Sequence, residues 1–294
     1  MNDSAWTIKR LLDWTAEYFS ERDDGESRAG QPRLEAEVLL AEALGCERIE
    51  LYTRFDEVVE DEPKTRFRNW VKRRADGEPV AYLVGHREFF SLEFEVNSSV
   101  LIPRPETEHL VTSTLDIIKT RFADQPVRVV DVGTGSGCIA ISIAKQCANA
   151  TILAIDISDQ ALEVARKNVS RHEVENQVHL EQGNLLATVE DLSSYQIIIS
   201  NPPYIGQSER ENVSKDVRDF EPETALFSND QQGTAVSFEL VDQVSELPPG
   251  TILLLESSPM NIEAIADRIR AKGFAECEIK KDYAGLLRWI EARR

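Results

Sequence analysis

Two hydrophobic periodicities divide the chain. From residue 4 to about residue 76, apolar residues recur at the spacing of amphipathic helices, as in TIKRLLDWTAEYF and RLEAEVLLAEALG. Ser4 precedes the first of these segments and is a candidate N-cap. A third helix is predicted from Pro63 to Ala75. Because no strand pattern occurs before residue 80, the sequence predicts a small helical-bundle domain over residues 1–76.

The pattern changes in VAYLVGHREFFSLEFEV, residues 80–96, which approaches the alternation of a β-strand. We expect a β-hairpin here, with Gly85 and His86 at its turn, inside a linker that spans residues 77–105. Pro103 and Pro105 then favour an extended segment that leads into a helix.

From residue 127 onward, short apolar runs alternate with helical segments. The predicted strands are VRVVDV, TILAIDI, VHLEQ, YQIIIS and TILLLE, followed by the pair ECEIKKD and LLRWIEA. Apolar strands separated by helices indicate a parallel sheet that is covered on both faces. The sequence therefore predicts a large α/β domain over residues 106–294.

Composition narrows the function classes. The net charge is −19, and a protein that follows a phosphate backbone normally carries a basic face, so nucleic acid is disfavoured as the main substrate. A basic protein partner fits this charge better. No apolar run approaches the roughly 20 residues of a membrane helix, and the start lacks a secretory signal pattern. The four cysteines and four histidines show no metal-ligand spacing, so we expect a cytoplasmic protein without a metal.

One predicted helix departs from the acidic balance. Six basic residues crowd it: Lys64, Arg66, Arg68, Lys72, Arg73 and Arg74. They form either a solvated helix face that balances nearby acids or a docking patch for a partner.

A glycine loop follows the first strand of the α/β domain. Gly133, Gly135 and Gly137 lie between a strand and a helix, where a tight turn lets a ligand approach the backbone. The next strand ends at Asp156, whose carboxylate could accept hydrogen bonds from ribose hydroxyls. Together they predict a cofactor that contains adenosine. If it is S-adenosylmethionine, Asp131 suits its ammonium group and Asn184 its adenine amine.

The tetrapeptide Asn201-Pro202-Pro203-Tyr204 directly follows the strand YQIIIS. The Asn201 side-chain oxygen and the Pro202 carbonyl oxygen can accept both hydrogens of one planar NH₂ group, which directs its lone pair toward a methyl donor. The prolines stiffen the loop, and Tyr204 can stack on the planar group. A proline-rich turn without chemistry is the structural alternative.

Six segments carry a resemblance to a known family: RLEAEVLL (33–40), GEPVAYLVGHREFFSLEFEV (77–96), VLIPRPETEHLV (100–111), DVGTGSGCIAIS (131–142), SNPPYI (200–205) and EPETAL (221–226). The chain resembles the HemK/PrmC family of protein-(glutamine-N5) methyltransferases. This resemblance implies a Rossmann-like class I methyltransferase domain with a mostly parallel seven-stranded sheet, joined by the hairpin to a helical domain that recognises release factors. It also implies a monomer that converts S-adenosylmethionine to S-adenosylhomocysteine and methylates the glutamine in the Gly-Gly-Gln loop of class 1 release factors.

The resemblance assigns roles to individual residues. The catalytic residues would be Asn201, Pro202 and Tyr204. The cofactor would be held by Asp131, Gly133, Thr134, Gly135, Gly137, Asp156, Asn184 and Asn201. The substrate would contact Asn201, Pro202, Pro203, Tyr204, Arg104 and Glu106, although Arg104 and Glu106 could equally form a surface ion pair. Three features depart from the family: Asn184 and Gln196 stand where Asp is usual, and segment 253–265 lacks the usual glycine and glutamine.

Three other functions remain open from the residues. An adenine-N6 methyltransferase on nucleic acid shares the tetrapeptide. A glutamine methyltransferase acting on a ribosomal protein shares the chemistry. A regulator that binds the cofactor without catalysis would share the glycine loop and Asp156.

Overall fold

The computed structural model describes residues 5–22 and 31–294, which form two compact units. The first comprises Met1–Gly85 and Asn212–Phe220, and the second comprises His86–Glu211 and Glu221–Arg294. The first unit therefore extends past the predicted boundary at residue 76 and includes a segment from far along the chain.

The first unit is helical, as its periodicity predicts. Its helices are α1 (Ile8–Glu21), α2 (Pro32–Leu44), α3 (Glu50–Thr53), α4 (Asp61–Ala75) and α5 (Val80–Val84). Thr7 caps α1 by accepting a hydrogen bond from the Arg10 backbone N–H, whereas Ser4, the predicted cap, lies outside the described residues. Buried Leu12, Leu39 and Phe67 join α1, α2 and α4 in one apolar core.

The β-hairpin is shorter than predicted and its turn lies elsewhere. Residues Val80–Val84 form α5, which Gly85 ends in a left-handed conformation, and the strands are β1 (His86–Phe89) and β2 (Leu92–Glu95). Five residues are too few to separate a strand period from a helical one, and Pro79 and Gly85 bound this segment as helix signals. The turn is Phe90-Ser91, and both residues have positive φ. The sequence does not predict this turn, because it lacks the glycine or asparagine that such turns usually contain.

The second unit is built on the predicted mostly parallel seven-stranded sheet, which is confirmed. The strands are β3 (Val127–Val132), β4 (Ala150–Asp156), β5 (Val178–Gln182), β6 (Ile197–Ser200), β7 (Ile252–Glu256), β8 (Glu276–Lys281) and β9 (Leu287–Arg293). Their order is β5-β4-β3-β6-β7-β9-β8, and β9 alone runs in the direction opposite to the other six strands.

Helices follow most of these strands. They are α6 (Glu108–Ile117), α7 (Cys138–Gln146), α8 (Asp159–Arg171), α9 (Lys215–Phe220, which belongs to the first unit), α10 (Glu223–Leu226), α11 (Ala235–Val244) and α12 (Ile262–Ala271). Single 3₁₀ turns lie at Pro105–Thr107, Leu192–Ser194 and Gln207–Asn212, and a π turn at Ile118–Phe122 continues α6.

Each face of the sheet contributes to its own apolar core. Along β6, Ile197 and Ile199 belong to one core while Ile198 belongs to the other, because successive side chains point to opposite faces. The central strands are therefore buried on both sides, and polar side chains concentrate at the carboxyl edge of the sheet.

Phe94 packs the hairpin against the rest of the second unit. Phe94 is fully buried, with its ring centroid 6.2 Å from that of Phe89 and 5.1 Å from that of His172. We expect Phe94→Ala to lower the free energy of unfolding by ~3–5 kcal/mol, because it leaves a cavity that the hairpin cannot fill. Chemical denaturation checks this. Arg87→Ala, an exposed change on the same hairpin, should stay within ~0.5 kcal/mol, and an equal loss in both variants would contradict the assignment.

Candidate active site

The glycine loop turns sharply at the end of β3. The backbone N–H groups of Gly133 and Thr134 both donate to the carbonyl oxygen of Ile155, at 2.8 and 2.9 Å. Gly135 has a φ of 56°, which glycine adopts without strain, and a Cβ there would meet open space. Gly137 differs, because a Cβ there would lie 3.0 Å from the Ile141 side chain. The loop thus exposes its backbone at Gly135 and packs against the fold at Gly137.

Asp156 ties the loop to the next strand. Its Oδ2 accepts from the Gly135 backbone N–H at 2.8 Å, and its Oδ1 accepts from the Ser158 backbone N–H at 2.9 Å. Burial raises the pKa of the carboxyl group, and these hydrogen bonds oppose the rise. Each carboxylate oxygen keeps a second lone pair, so Asp156 is able to accept ribose hydroxyls while it holds the loop.

A cavity of about 320 Å³ opens at this edge of the sheet. Its lining includes Gly133, Gly135, Asp156, Asn184 and Pro203. The volume falls in the range of small-molecule sites. The structure therefore brings four predicted cofactor residues and one residue of the tetrapeptide to one cavity.

Asp131 and Thr134 are buried and are not part of that lining. The Thr134 hydroxyl donates to Asp131 Oδ2 at 2.6 Å, and burial raises the pKa of Asp131 to about 7. Asp131 Oδ1 is buried without a hydrogen-bond partner among the described residues. Contact of Asp131, Thr134 and Gly137 with a cofactor stays a prediction.

The tetrapeptide is held on both sides. The Ser200 hydroxyl donates to the carbonyl oxygen of Val132 at 2.8 Å, which joins the end of β6 to β3. Asn201 Nδ2 donates to Thr107 Oγ1 at 3.1 Å. The Tyr204 carbonyl oxygen accepts from Asn261 Nδ2 at 3.1 Å. Since its flanks are fixed in this way, the tetrapeptide is an ordered element of the site.

The Tyr204 phenol is suited to packing and not to proton transfer. Burial raises its pKa, and the negative charge of Glu256 adds to that rise. A neutral ring can cover a flat group without competing for its protons.

Arg104 pairs with a residue that the sequence did not single out. Its Nη2 donates to Glu221 Oε1 at 2.5 Å, and the Ile102 backbone N–H donates to Glu221 Oε2 at 3.2 Å. Glu221 is buried, so this is not the surface pair of Arg104 and Glu106 considered above. Glu106 instead acts on the tetrapeptide side, where its charge raises the pKa of Tyr204. Glu221 is the first residue of the segment EPETAL, and that segment was the available sequence signal.

Sequence reasoning also missed Thr107 and Glu256. Both are buried, and Glu256 is the last residue of β7, beside β6. Burial raises the pKa of Glu256 to about 7, while the Thr107 side chain and the charge of Arg288 oppose the rise. A carboxylate that ends an otherwise apolar strand, ILLLE, was the available signal.

In residues 5–22 and 31–294, no group of three or more His, Cys, Asp or Glu is arranged to hold a metal ion. Within the same ranges, no helix is long and apolar enough to cross a membrane.

Comparisons with known proteins identify the family of this chain. The family described as PrmC N-terminal domain matches residues 10–85, and the family described as methyltransferase small domain matches residues 111–218. A release factor glutamine methyltransferase of Rhodopirellula baltica is 44% identical over 287 residues, which cover 97% of this chain and 95% of that protein. One from Nitratidesulfovibrio vulgaris is 39% identical, over 90% of this chain and 88% of that protein.

Solved structures support the fold alone. A methyltransferase from Pyrococcus furiosus has a TM-score of 0.51 at 19% identity and covers 76% of this chain and 97% of its own. The hMettl16 catalytic domain in complex with MAT2A 3'UTR hairpin 1 has a TM-score of 0.57 at 14% identity, over 95% and 90% of the two chains. The predicted Rossmann-like class I methyltransferase fold is confirmed.

The buried carboxyl of Asp131 predicts a pH dependence of stability. Its pKa in the folded protein, about 7, lies above the value near 4 of an unfolded chain. The fold therefore favours the protonated form, and the resulting stability is complete below about pH 4 and is lost as the pH rises through about 7. We expect Asp131→Asn to reduce the decline in unfolding free energy between about pH 5 and 8. Denaturation at several pH values measures this, and Asp124→Asn, an exposed change, should leave the decline unaltered. An unchanged decline in Asp131→Asn would contradict the prediction.

Proposed function

This chain belongs to the release factor glutamine methyltransferase family, and we propose that it transfers a methyl group from S-adenosylmethionine to the side-chain amide N5 of the glutamine in the Gly-Gly-Gln loop of class 1 release factors. The single observation that carries the proposal is the hydrogen bond that orients the Asn201 side chain. Its amide nitrogen is engaged by Thr107, so its Oδ1 is the end that remains to meet a substrate NH₂ group. The neighbouring Pro203 lines the cavity.

The cavity residues suit S-adenosylmethionine, which supplies an electrophilic methyl group when bound. Gly133 and Gly135 lack side chains where the ligand would lie, since a Cβ at either position meets open space. Asp156 would accept hydrogen bonds from the ribose hydroxyls, and Asn184 would accept one from the adenine amine. Asp131 would support the ammonium group. Loss of the methyl group converts S-adenosylmethionine to S-adenosylhomocysteine.

The tetrapeptide prepares the amide nitrogen for attack. Its lone pair is delocalised in a free amide, and two acceptors that bind its two hydrogens favour a geometry in which the lone pair points at the methyl group. Asn201 Oδ1 and the Pro202 carbonyl oxygen are these acceptors, and the ordered loop holds them before reaction. Tyr204 covers the flat face of the amide. No strong base is required early, because the proton leaves only after the nitrogen has become cationic.

We propose that the helical unit binds the release factor away from the reacting glutamine. Four of its six clustered basic residues engage carboxylates of the same unit: Lys64 with Asp61, Arg66 with Glu62, Arg73 with Glu78 and Arg74 with Glu35. The solvated-face interpretation therefore fits most of the cluster.

Arg68 and Lys72 instead border a groove of about 320 Å³ on this unit. Its apolar lining includes Trp14 and Phe67, and Trp14 is 46% exposed. Aromatic side chains beside basic ones suit a partner surface that is apolar at its centre and acidic at its rim. We assign this groove to the release factor.

We also propose that the enzyme works in the cytoplasm, where release factors act, and that it is a monomer. Its net charge of −19 is unfavourable for a nucleic-acid substrate.

The reaction is tested by removing the Asn201 amide. We expect Asn201→Ala to lower turnover by roughly 100-fold or more with affinity for S-adenosylmethionine nearly unchanged, because a positioned acceptor is lost and the cofactor contacts are not. Transfer of labelled methyl to a recombinant release factor measures turnover, and calorimetry measures affinity. Asn176→Ala, an exposed asparagine, is the matched control and should behave like the wild type.

The same assay separates the competing substrates. Its other arms contain the release factor with Gln replaced by Ala in the Gly-Gly-Gln loop, ribosomal proteins, and duplex DNA. Label in the loop variant at the wild-type level, or label mainly in DNA or a ribosomal protein, would overturn the proposed substrate. Cofactor binding without transfer to any arm would favour a regulator.

The groove on the helical unit is tested by charge reversal. We expect Arg68→Glu combined with Lys72→Glu to raise KM for the intact release factor by about tenfold, which corresponds to ~1.4 kcal/mol of lost binding, since both charges face the acidic rim. KM for a short Gly-Gly-Gln peptide should not change, because the peptide lacks the part of the release factor that would bind the groove. Lys280→Glu, on β8 of the other unit, is the control. Equal effects on the two substrates would exclude the groove as the docking surface.

A further inference from the structure

The orientation of the Asn201 amide decides whether the site works. With Oδ1 toward the substrate, Asn201 accepts a hydrogen of the substrate NH₂ group; with Nδ2 there, two donors face each other. The two ends of an amide have nearly the same shape, so packing alone does not choose between them. A partner with fixed donor or acceptor character is needed.

Thr107 is the neighbour that could make this choice. It is 3% exposed, at the end of the 3₁₀ turn Pro105–Thr107, and its Oγ1 accepts from Asn201 Nδ2 at 3.1 Å. A hydroxyl both donates and accepts, however, so Thr107 by itself would tolerate either orientation of Asn201. The direction of its own hydroxyl hydrogen must be fixed by another group.

Glu256 is the group suited to fix that direction. It is 1% exposed at the end of β7, and among its neighbours the Thr107 side chain most favours the ionised form of its carboxyl group, which lowers its pKa. Strands β6 and β7 are parallel neighbours with Ser200 opposite Leu255, so the residues that follow, Asn201 and Glu256, lie side by side. An ionised carboxylate only accepts hydrogen bonds. It takes the Thr107 hydroxyl hydrogen and leaves an oxygen lone pair for the amide hydrogen of Asn201.

We propose that Thr107 and Glu256 are positioning residues that form a hydrogen-bond relay, in which the Glu256 carboxylate orients the Thr107 hydroxyl and this hydroxyl holds the Asn201 amide with Oδ1 toward the substrate. The inference rests on the proposed function, since Asn201 is there the acceptor for the glutamine amide. It assigns a role to two residues outside the tetrapeptide and the glycine loop.

The charges around Glu256 make the relay sensitive to pH. Arg288 on β9 and Arg104 before α6 favour the ionised carboxylate, whereas burial and Glu106 disfavour it, and the pKa is about 7. The Tyr204 phenol also lies within its electrostatic reach. Oε2 is buried without a hydrogen-bond partner in the described part of the chain, so ionisation is poorly compensated there. When Glu256 is protonated, its O–H can donate to Thr107, and the Thr107 hydroxyl can then donate to Asn201 Oδ1.

The relay is tested first by kinetics. We expect Thr107→Val to lower kcat by roughly 10- to 100-fold, the range for removing a group that orients a functional side chain, with KM for S-adenosylmethionine unchanged. Thr107→Ser, which keeps the hydroxyl, should recover most of this loss. The matched control is Thr114→Val, because Thr114 is also fully buried but its hydroxyl donates to the Leu110 carbonyl oxygen. Equal losses in Thr107→Val and Thr114→Val would overturn the relay.

The pH profile provides a readout that a structural role would not produce. In the wild type, kcat should rise with pH with a midpoint near 7, as Glu256 ionises and the relay takes its productive direction. Glu256→Gln should lower kcat and abolish this midpoint, because a carboxamide does not titrate. A midpoint that persists in Glu256→Gln would contradict the role of Glu256.

A measurement without turnover keeps this inference separate from the proposed function. The side-chain NH₂ resonance of Asn201, assigned by its loss in Asn201→Asp, should be protected from hydrogen exchange in the wild type. Thr107→Val should accelerate that exchange and Thr114→Val should not. If the wild type fails to methylate a release factor but shows this pattern, the substrate assignment is wrong and the relay stands. Equal exchange in the wild type and Thr107→Val overturns the relay whatever the substrate.

Discussion

The parallel register of the central strands is the constraint on which the rest of this structure depends. Val132 lies opposite Ile155 and Ser200, and Ser200 lies opposite Leu255. The residues that come next in each strand or loop, among them Gly133, Asn201 and Glu256, therefore lie along one edge. Because side chains alternate between the faces of a sheet, a slip of one residue would reverse the apolar faces of a strand that is buried on both sides. Packing of the two cores thus fixes the geometry of the site.

That same packing sets the electrostatics of the edge. Carboxyl groups at the ends of fully apolar strands lose their hydration, and burial raises the pKa of Asp131, Asp156 and Glu256. Asp131 accepts a hydrogen bond from Thr134, and Asp156 accepts one from Gly135. The proposed relay gives Glu256 the same relation to Thr107. In a medium of low polarisability, such hydrogen bonds are strong and costly to break. These carboxyl groups therefore hold the loops and side chains of the site in place, in addition to any contact with its ligands.

The local hydrophobic pattern was sufficient to predict the elements that are long and strongly periodic. The predicted helix from Pro63 to Ala75 is present as α4 (Asp61–Ala75), and each predicted strand of the α/β unit is present. It failed over Val80–Val84, where five residues allow either period, and at the Phe90-Ser91 turn, which lacks the usual glycine or asparagine. The conformation of such short segments depends more on the structure around them than on the helix or strand preference of their own residues.

The sequence by itself determined the motifs that residues close together in the chain can form. These are the glycine loop, the acid that ends the next strand, and a tetrapeptide whose prolines and asparagine present two acceptors. Their chain positions after successive strands placed them at one sheet edge. Only the tertiary structure decided which side chains support them. Arg104 meets Glu221 across 117 positions, and Asn201 meets Thr107 across 94. Such pairs leave no periodic trace in the sequence, because each partner satisfies its hydrogen bonds through the fold and not through its neighbours in the chain.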